Sequence, residues 1–124
     1  MAARGPRLVS AVLCLIGLLA PAAAARAHAV LVASQPQENA ELVGPAVDFR
    51  LEFNSRIDAS RSSLQLAKDG GQPQPLALGQ TAQPNLLVAR AQDLAPGAYR
   101  LRWQVLSVDG HVSRGDVNFK VRAP

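Results

Sequence analysis

Apolar and polar positions alternate with period two along most of the chain beyond residue 28, and period two is the signature of a strand with one buried face. Val47, Phe49, Leu51 and Phe53 alternate with Asp48, Arg50 and Glu52, which predicts a half-buried strand over 47–53. Tyr99, Leu101, Trp103 and Val105 alternate with Arg100, Arg102 and Gln104 in the longest such run. Val117, Phe119 and Val121 repeat the pattern near the end of the chain, and shorter runs predict strands over 29–33, 63–67 and 86–91, with a short edge strand at 76–78. Turn signals separate them: Gln35-Pro36, Gly44-Pro45, Asp69-Gly70-Gly71 and Pro96-Gly97. No segment after residue 28 carries a helical period. About seven short strands with Gly/Pro turns predict an all-β, antiparallel Greek-key sandwich or barrel of one domain. Tyr99, entering a late strand after the Leu94–Gly97 turn, has the placement of the tyrosine corner of immunoglobulin-like sandwiches.

The first 27 residues have a different pattern. Arg4 and Arg7 precede an apolar run from Leu8 to Ala20, and Ala25-Arg26-Ala27 puts small residues at the first and third places before a cut. This predicts an export signal, residues 1–27, cleaved after Ala27, and a mature domain of residues 28–124. A membrane anchor fits less well, because Pro21 interrupts the apolar stretch before it reaches a spanning length of roughly 20 residues. Cys14 lies mid-run after Leu13, which disfavours a lipoprotein. The expected destination is the periplasm.

Cleavage alters the composition. Of 13 basic residues, Arg4, Arg7 and Arg26 leave with the signal, so the mature chain has ten basic and nine acidic residues, a net charge of +1. A near-neutral domain gives no reason to expect nucleic-acid binding. Cys14 and Met1 are the sole sulfur-bearing residues, and both precede residue 28. The mature chain therefore folds without a disulfide, and any metal it holds is bound by nitrogen and oxygen, which excludes thiolate zinc and methionine-rich Cu(I) sites.

Two histidines remain, His28 and His111. After cleavage His28 is the terminus, and its α-amine and ring Nδ1 can close a chelate on one ion. The amine has a pKa near roughly 8, so a metal displaces its proton at neutral pH. Cu(II) heads the Irving–Williams order and favours tetragonal nitrogen/oxygen sites. By position alone, a frayed terminus is the commoner outcome. Ser107-Val108-Asp109-Gly110-His111 follows the longest strand; Asp109 and His111, two apart, project to the same side of an extended chain, and Gly110 lets the backbone approach a ligand. By itself the pentapeptide is also an ordinary Asp-Gly turn. Together the two segments point to a metal site of His28, Asp109 and His111. Ser34, Ser107 and Ser113 could be nucleophiles only with a histidine as base, and nothing forms an oxyanion hole.

At these residues the chain resembles the CopC family of periplasmic copper-binding proteins. The matching stretches are His28-Ala-Val-Leu-Val-Ala-Ser-Gln-Pro36, residues 45–53, Leu94-Ala-Pro-Gly-Ala-Tyr99 and Trp103-Gln-Val-Leu-Ser-Val-Asp-Gly-His111, with Gly115 beyond. The resemblance implies an immunoglobulin-like sandwich binding one Cu(II) ion through His28, Asp109 and His111, with Trp103 packed near the site. Such a protein would be a monomeric, non-enzymatic carrier or buffer acting in copper homeostasis or resistance, with a CopD-like inner-membrane transporter as its partner. Two departures matter. Some members carry a glutamate after the second-strand Phe, where this chain reads Phe53-Asn54-Ser55-Arg56. Some have a Met-rich Cu(I) loop, where residues 72–83 have neither Met nor His. Two alternatives stand beside the carrier. One is a histidine-brace copper oxidase or monooxygenase; the other is a metal-free interaction module on the same scaffold.

Overall fold

The computed structural model describes residues 28–124. The expected export signal, with Arg4, Arg7, Cys14 and the bond after Ala27, lies outside them. Period-two burial does what the pattern predicts. Strand β3 (Val47–Phe53) buries Val47, Phe49, Leu51 and Phe53, and β6 (Leu86–Ala91) has the bounds read from sequence. β7 (Gly97–Ser107) and β8 (Val112–Arg122) form the longest ladder, from Gly97 opposite Val121 to Leu106 opposite Val112.

With β1 (Leu31–Gln35), β2 (Ala40–Val43), β4 (Ile57–Lys68) and β5 (Gln74–Leu76), the described residues make two sheets, ordered β1-β3-β6 and β2-β8-β7-β4-β5. Their inner faces enclose one core in which Phe49, Leu51, Phe53, Leu64, Leu101, Val105 and Phe119 are all but inaccessible. Phe49 and Tyr99 both pack on Phe119, the first edge-on and the second stacked. The Tyr99 hydroxyl donates to the Ala95 carbonyl at 2.6 Å, so the tyrosine corner is formed, and burial pushes its pKa up. Among the described residues no helix is long and apolar enough to cross a membrane.

Four details differ from the pattern reading. β1 is Leu31–Gln35 rather than 29–33, because Val30 gives its N–H to the Asn54 side chain instead of a ladder. β2 (Ala40–Val43) was not predicted and runs parallel to β8, so the second sheet is mixed, not purely antiparallel. β4 extends over Ile57–Lys68, far beyond 63–67. A register irregularity between Asp58 and Ser63 breaks its alternation there, and the Ser62 hydroxyl replaces a strand partner for the Leu106 N–H. β5 (Gln74–Leu76) ends before Leu78, which makes only an isolated bridge to Ala89.

Candidate metal centre

The β7–β8 connection is a four-residue hairpin turn closed by backbone bonds. Ser107 N–H donates to the His111 carbonyl at 2.8 Å, and Gly110 N–H donates to the Ser107 carbonyl at 2.9 Å. Gly110 has φ +92°, a left-handed value that side-chain-bearing residues avoid, and a Cβ there would meet nothing. Conformation therefore requires this glycine, rather than close approach of a ligand. The Asp-Gly turn and the ligand pair are compatible: the turn is what sets Asp109 beside His111.

Asp109 is tightly engaged. One carboxylate oxygen accepts the Ser107 hydroxyl, and the other lies 3.0 Å from His111 Nδ1. The His111 N–H reaches the first oxygen at 3.4 Å. The Ser107 hydroxyl, then the His111 ring, hold the Asp109 carboxyl well below the usual range, at about 2. It is thus an anion at neutral pH. A carboxylate has about four lone-pair sites, and these three contacts leave room for an ion. The side chain of His111 is 58% exposed, so its ring is open to an arriving metal.

His28 comes from the other sheet. Ala29 is buried in the core, the Val30 N–H donates to Asn54 Oδ1 at 2.8 Å, and the Val30 carbonyl accepts the Asn54 N–H at 2.9 Å. The segment is anchored within two residues of His28. Its ring lies against that of His111, with centroids 4.8 Å apart and planes tilted by 59°. Two imidazoles bonded to one ion at about 2 Å place their centroids roughly 4.5 Å apart when cis, so the pair is within reach of a shared metal. Among the described residues, however, no three His, Cys, Asp or Glu side chains already form a set that could hold a metal ion. The two oxygens of Asp109 face Ser107 and His111, and the one beside His111 Nδ1 keeps a lone-pair site free for an ion.

Sequence reasoning names His28, Asp109 and His111 as candidates, whose segments the structure brings together, and misses two residues that position those segments. Asn54 stands where a glutamate was looked for and acts on the backbone of Val30. Ser107 was weighed only as a nucleophile; its place on the inward face of β7 was the available signal. Val30, Val32, Val108 and Val112 are exposed and lie within four residues, along the chain, of one histidine or the other. A groove of about 860 Å³, lined by Arg100, Arg102, Lys120 and Glu41 among others, includes neither histidine nor any residue of the turn.

Residues 31–122 match the CopC domain family. The chain is 30% identical to copper resistance protein C of Xanthomonas campestris pv. juglandis, over 94% of this chain and 97% of that one. It superposes on the crystal structure of CopC from Methylosinus trichosporium OB3b with a TM-score of 0.70, at 26% identity, covering 77% of this chain and 95% of the other. For PcoC, a methionine-rich copper resistance protein from Escherichia coli, the TM-score is 0.65 and the identity 28%, covering 77% and 99%.

Proposed function

The chain belongs to the CopC family, and from that premise we propose that, cut after Ala27, it is a periplasmic monomer that binds one Cu(II) with His28, Asp109 and His111 and sequesters it or hands it to a membrane partner. The observation that carries this reading is the meeting of the two histidine rings at 4.8 Å, from segments at opposite ends of the domain and on different sheets. His28 supplies ring and α-amine nitrogens, His111 a third nitrogen, and Asp109 a carboxylate that offsets the ion's charge. Such a hard-to-borderline set suits Cu(II). PcoC is described as methionine rich; this domain has no Met after Met1, which supports a Cu(II) role without Cu(I) chemistry.

Delivery requires a surface on which an acceptor can sit close to the ion. Val30, Val32, Val108 and Val112, close in sequence to the two histidines, are exposed, which suits a protein acceptor, and a CopD-like transporter is the partner the family resemblance suggests. A sugar-oxidising enzyme is less well supported. Trp103, Tyr99, Phe49, Phe53 and Phe119 are all buried, and no other Trp, Tyr or Phe exists in the chain to form a flat sugar platform.

The test is a Cu(II) titration of exported, mass-verified protein beside a version with one residue added before His28. One equivalent bound tightly by the first, and much more weakly by the second, is the expected result. Equal binding by both would remove the α-amine from the site, and no binding by either would refute the copper reading.

A further inference from the structure

Resting on the reading of the 107–111 turn as the copper site, we propose that Ser107 is a positioning residue that locks Asp109 and His111 into one unit and presents His111 Nε2 to the ion. Along β7 the inward positions are Tyr99, Leu101, Trp103 and Val105, and Ser107 follows them at 1% exposure. It is the one polar side chain in the buried set of the described residues. A hydroxyl in a core slot is costly unless it is hydrogen-bonded, so its bonds explain its presence.

All of them go to the turn. The hydroxyl donates to an Asp109 carboxylate oxygen, and Oγ accepts the His111 N–H at 3.2 Å. Oγ also lies 3.0 Å from the His111 carbonyl. A hydroxyl has one proton, however, and the charged acceptor takes it, because charge-assisted bonds are the stronger. The carbonyl is satisfied by the Ser107 N–H. Backbone bonds alone therefore close the hairpin, and the hydroxyl is surplus to what the turn needs. What it adds is a fixed carboxylate.

That fixed carboxylate determines the imidazole. The second oxygen of Asp109 is 3.0 Å from His111 Nδ1. An ionised carboxylate only accepts, so Nδ1 carries a hydrogen and the lone pair resides on Nε2. A histidine ligand whose inner nitrogen is held by a carboxylate is oriented and made more basic. Ser107 thus acts on copper through two other residues without touching it.

The test compares Ser107→Ala, Ser107→Thr and His111→Ala with the native protein by Cu(II) titration and electron paramagnetic resonance. Loss of an outer-shell partner typically weakens metal binding about 10–100-fold, and that loss is expected for Ser107→Ala, with altered copper hyperfine splitting. Ser107→Thr, which keeps the hydroxyl, should restore affinity and spectrum; a purely structural role would instead lower the melting temperature of the copper-free protein and leave the spectrum alone. Native affinity and spectrum in Ser107→Ala, alongside lost binding in His111→Ala, would overturn the positioning role and leave the copper site standing. Native binding in His111→Ala would bring down the site and this proposal together. If Ser107→Ala does not fold, long-range ¹⁵N–¹H spectra of the copper-free native protein near about pH 8.5, above the imidazole range, decide: an Nδ1–H tautomer at His111 is expected, and Nε2–H refutes the proposal.

Discussion

Gly115 faces Trp103 across the β7–β8 ladder, and the indole occupies the space in which a Cβ at 115 would stand. Trp103 is held from the other side by Phe53, edge-on with centroids 5.2 Å apart, so the ring has little freedom to retreat. Gly115→Ala should therefore destabilise the domain by about 1–3 kcal/mol, the usual cost of overpacking. Urea unfolding followed by the single tryptophan measures this; an unchanged midpoint would mean that the ring can move. The residue scale was partly legible. Trp103 was legible as an inward-facing residue from its alternation with Arg102 and Gln104, and its packing role was what the family resemblance implied. That Gly115 makes room for it was not legible, since the two meet only once a ten-pair ladder sets the register. Ser107 continues the inward alternation of Tyr99, Leu101, Trp103 and Val105, which marks it as buried, but the partners of its hydroxyl meet it only in the folded turn.

At the scale of elements, β2 shows where pattern reading fails. Ala40–Val43 has only four residues, and it pairs with β8 at the far end of the chain. Its local alternation is too short to stand out, and the parallel partner cannot be inferred from a neighbouring turn. The junction before it is fastened by Glu38, whose carboxylate accepts the Asn118 N–H at 3.0 Å and the Asn118 side-chain amide at 2.9 Å. Those bonds, the side-chain one first, lower the Glu38 pKa. A carboxyl with a depressed native pKa contributes stability above its unfolded value of about 4.3. That contribution is lost as pH falls through the native value. The stability difference between native protein and Glu38→Ala should thus be full at neutral pH and shrink progressively below about pH 4. Denaturation at a series of pH values checks this, and a difference that grew on acidification would contradict the assignment. Glu38 is exposed, so the effect is small in absolute size.

For the whole molecule, the two sheets close around one core and bring His28 and the 107–111 turn to the same end. An ion held by both sheets binds the folded state alone, so it must stabilise it. At free Cu(II) about a hundred times the dissociation constant the gain is about 2.7 kcal/mol. For a domain of this size each kcal/mol raises the melting temperature by about 4–8 °C. Calorimetry should show a rise of roughly 10–20 °C with copper, reversed by a chelator. The version extended before His28 should show a much smaller one, and equal melting with and without copper would favour the metal-free module.

Sequence alone determined the all-β character, because alternation such as Val47-Asp48-Phe49-Arg50-Leu51-Glu52-Phe53 can bury one face only as a strand. It also determined the chemistry on offer: with no sulfur after residue 14 and two histidines left, any metal donor is nitrogen or oxygen. Tertiary structure decided that those donors meet. His28 is carried by a strand that pairs with β3 in one sheet, His111 by a hairpin of the other, and no local pattern encodes the distance between them. It arises from the burial of Ala29, the Asn54 clasp on Val30 and the register of long-range ladders. These are contacts between residues far apart in the chain, and they exist only after the core has formed.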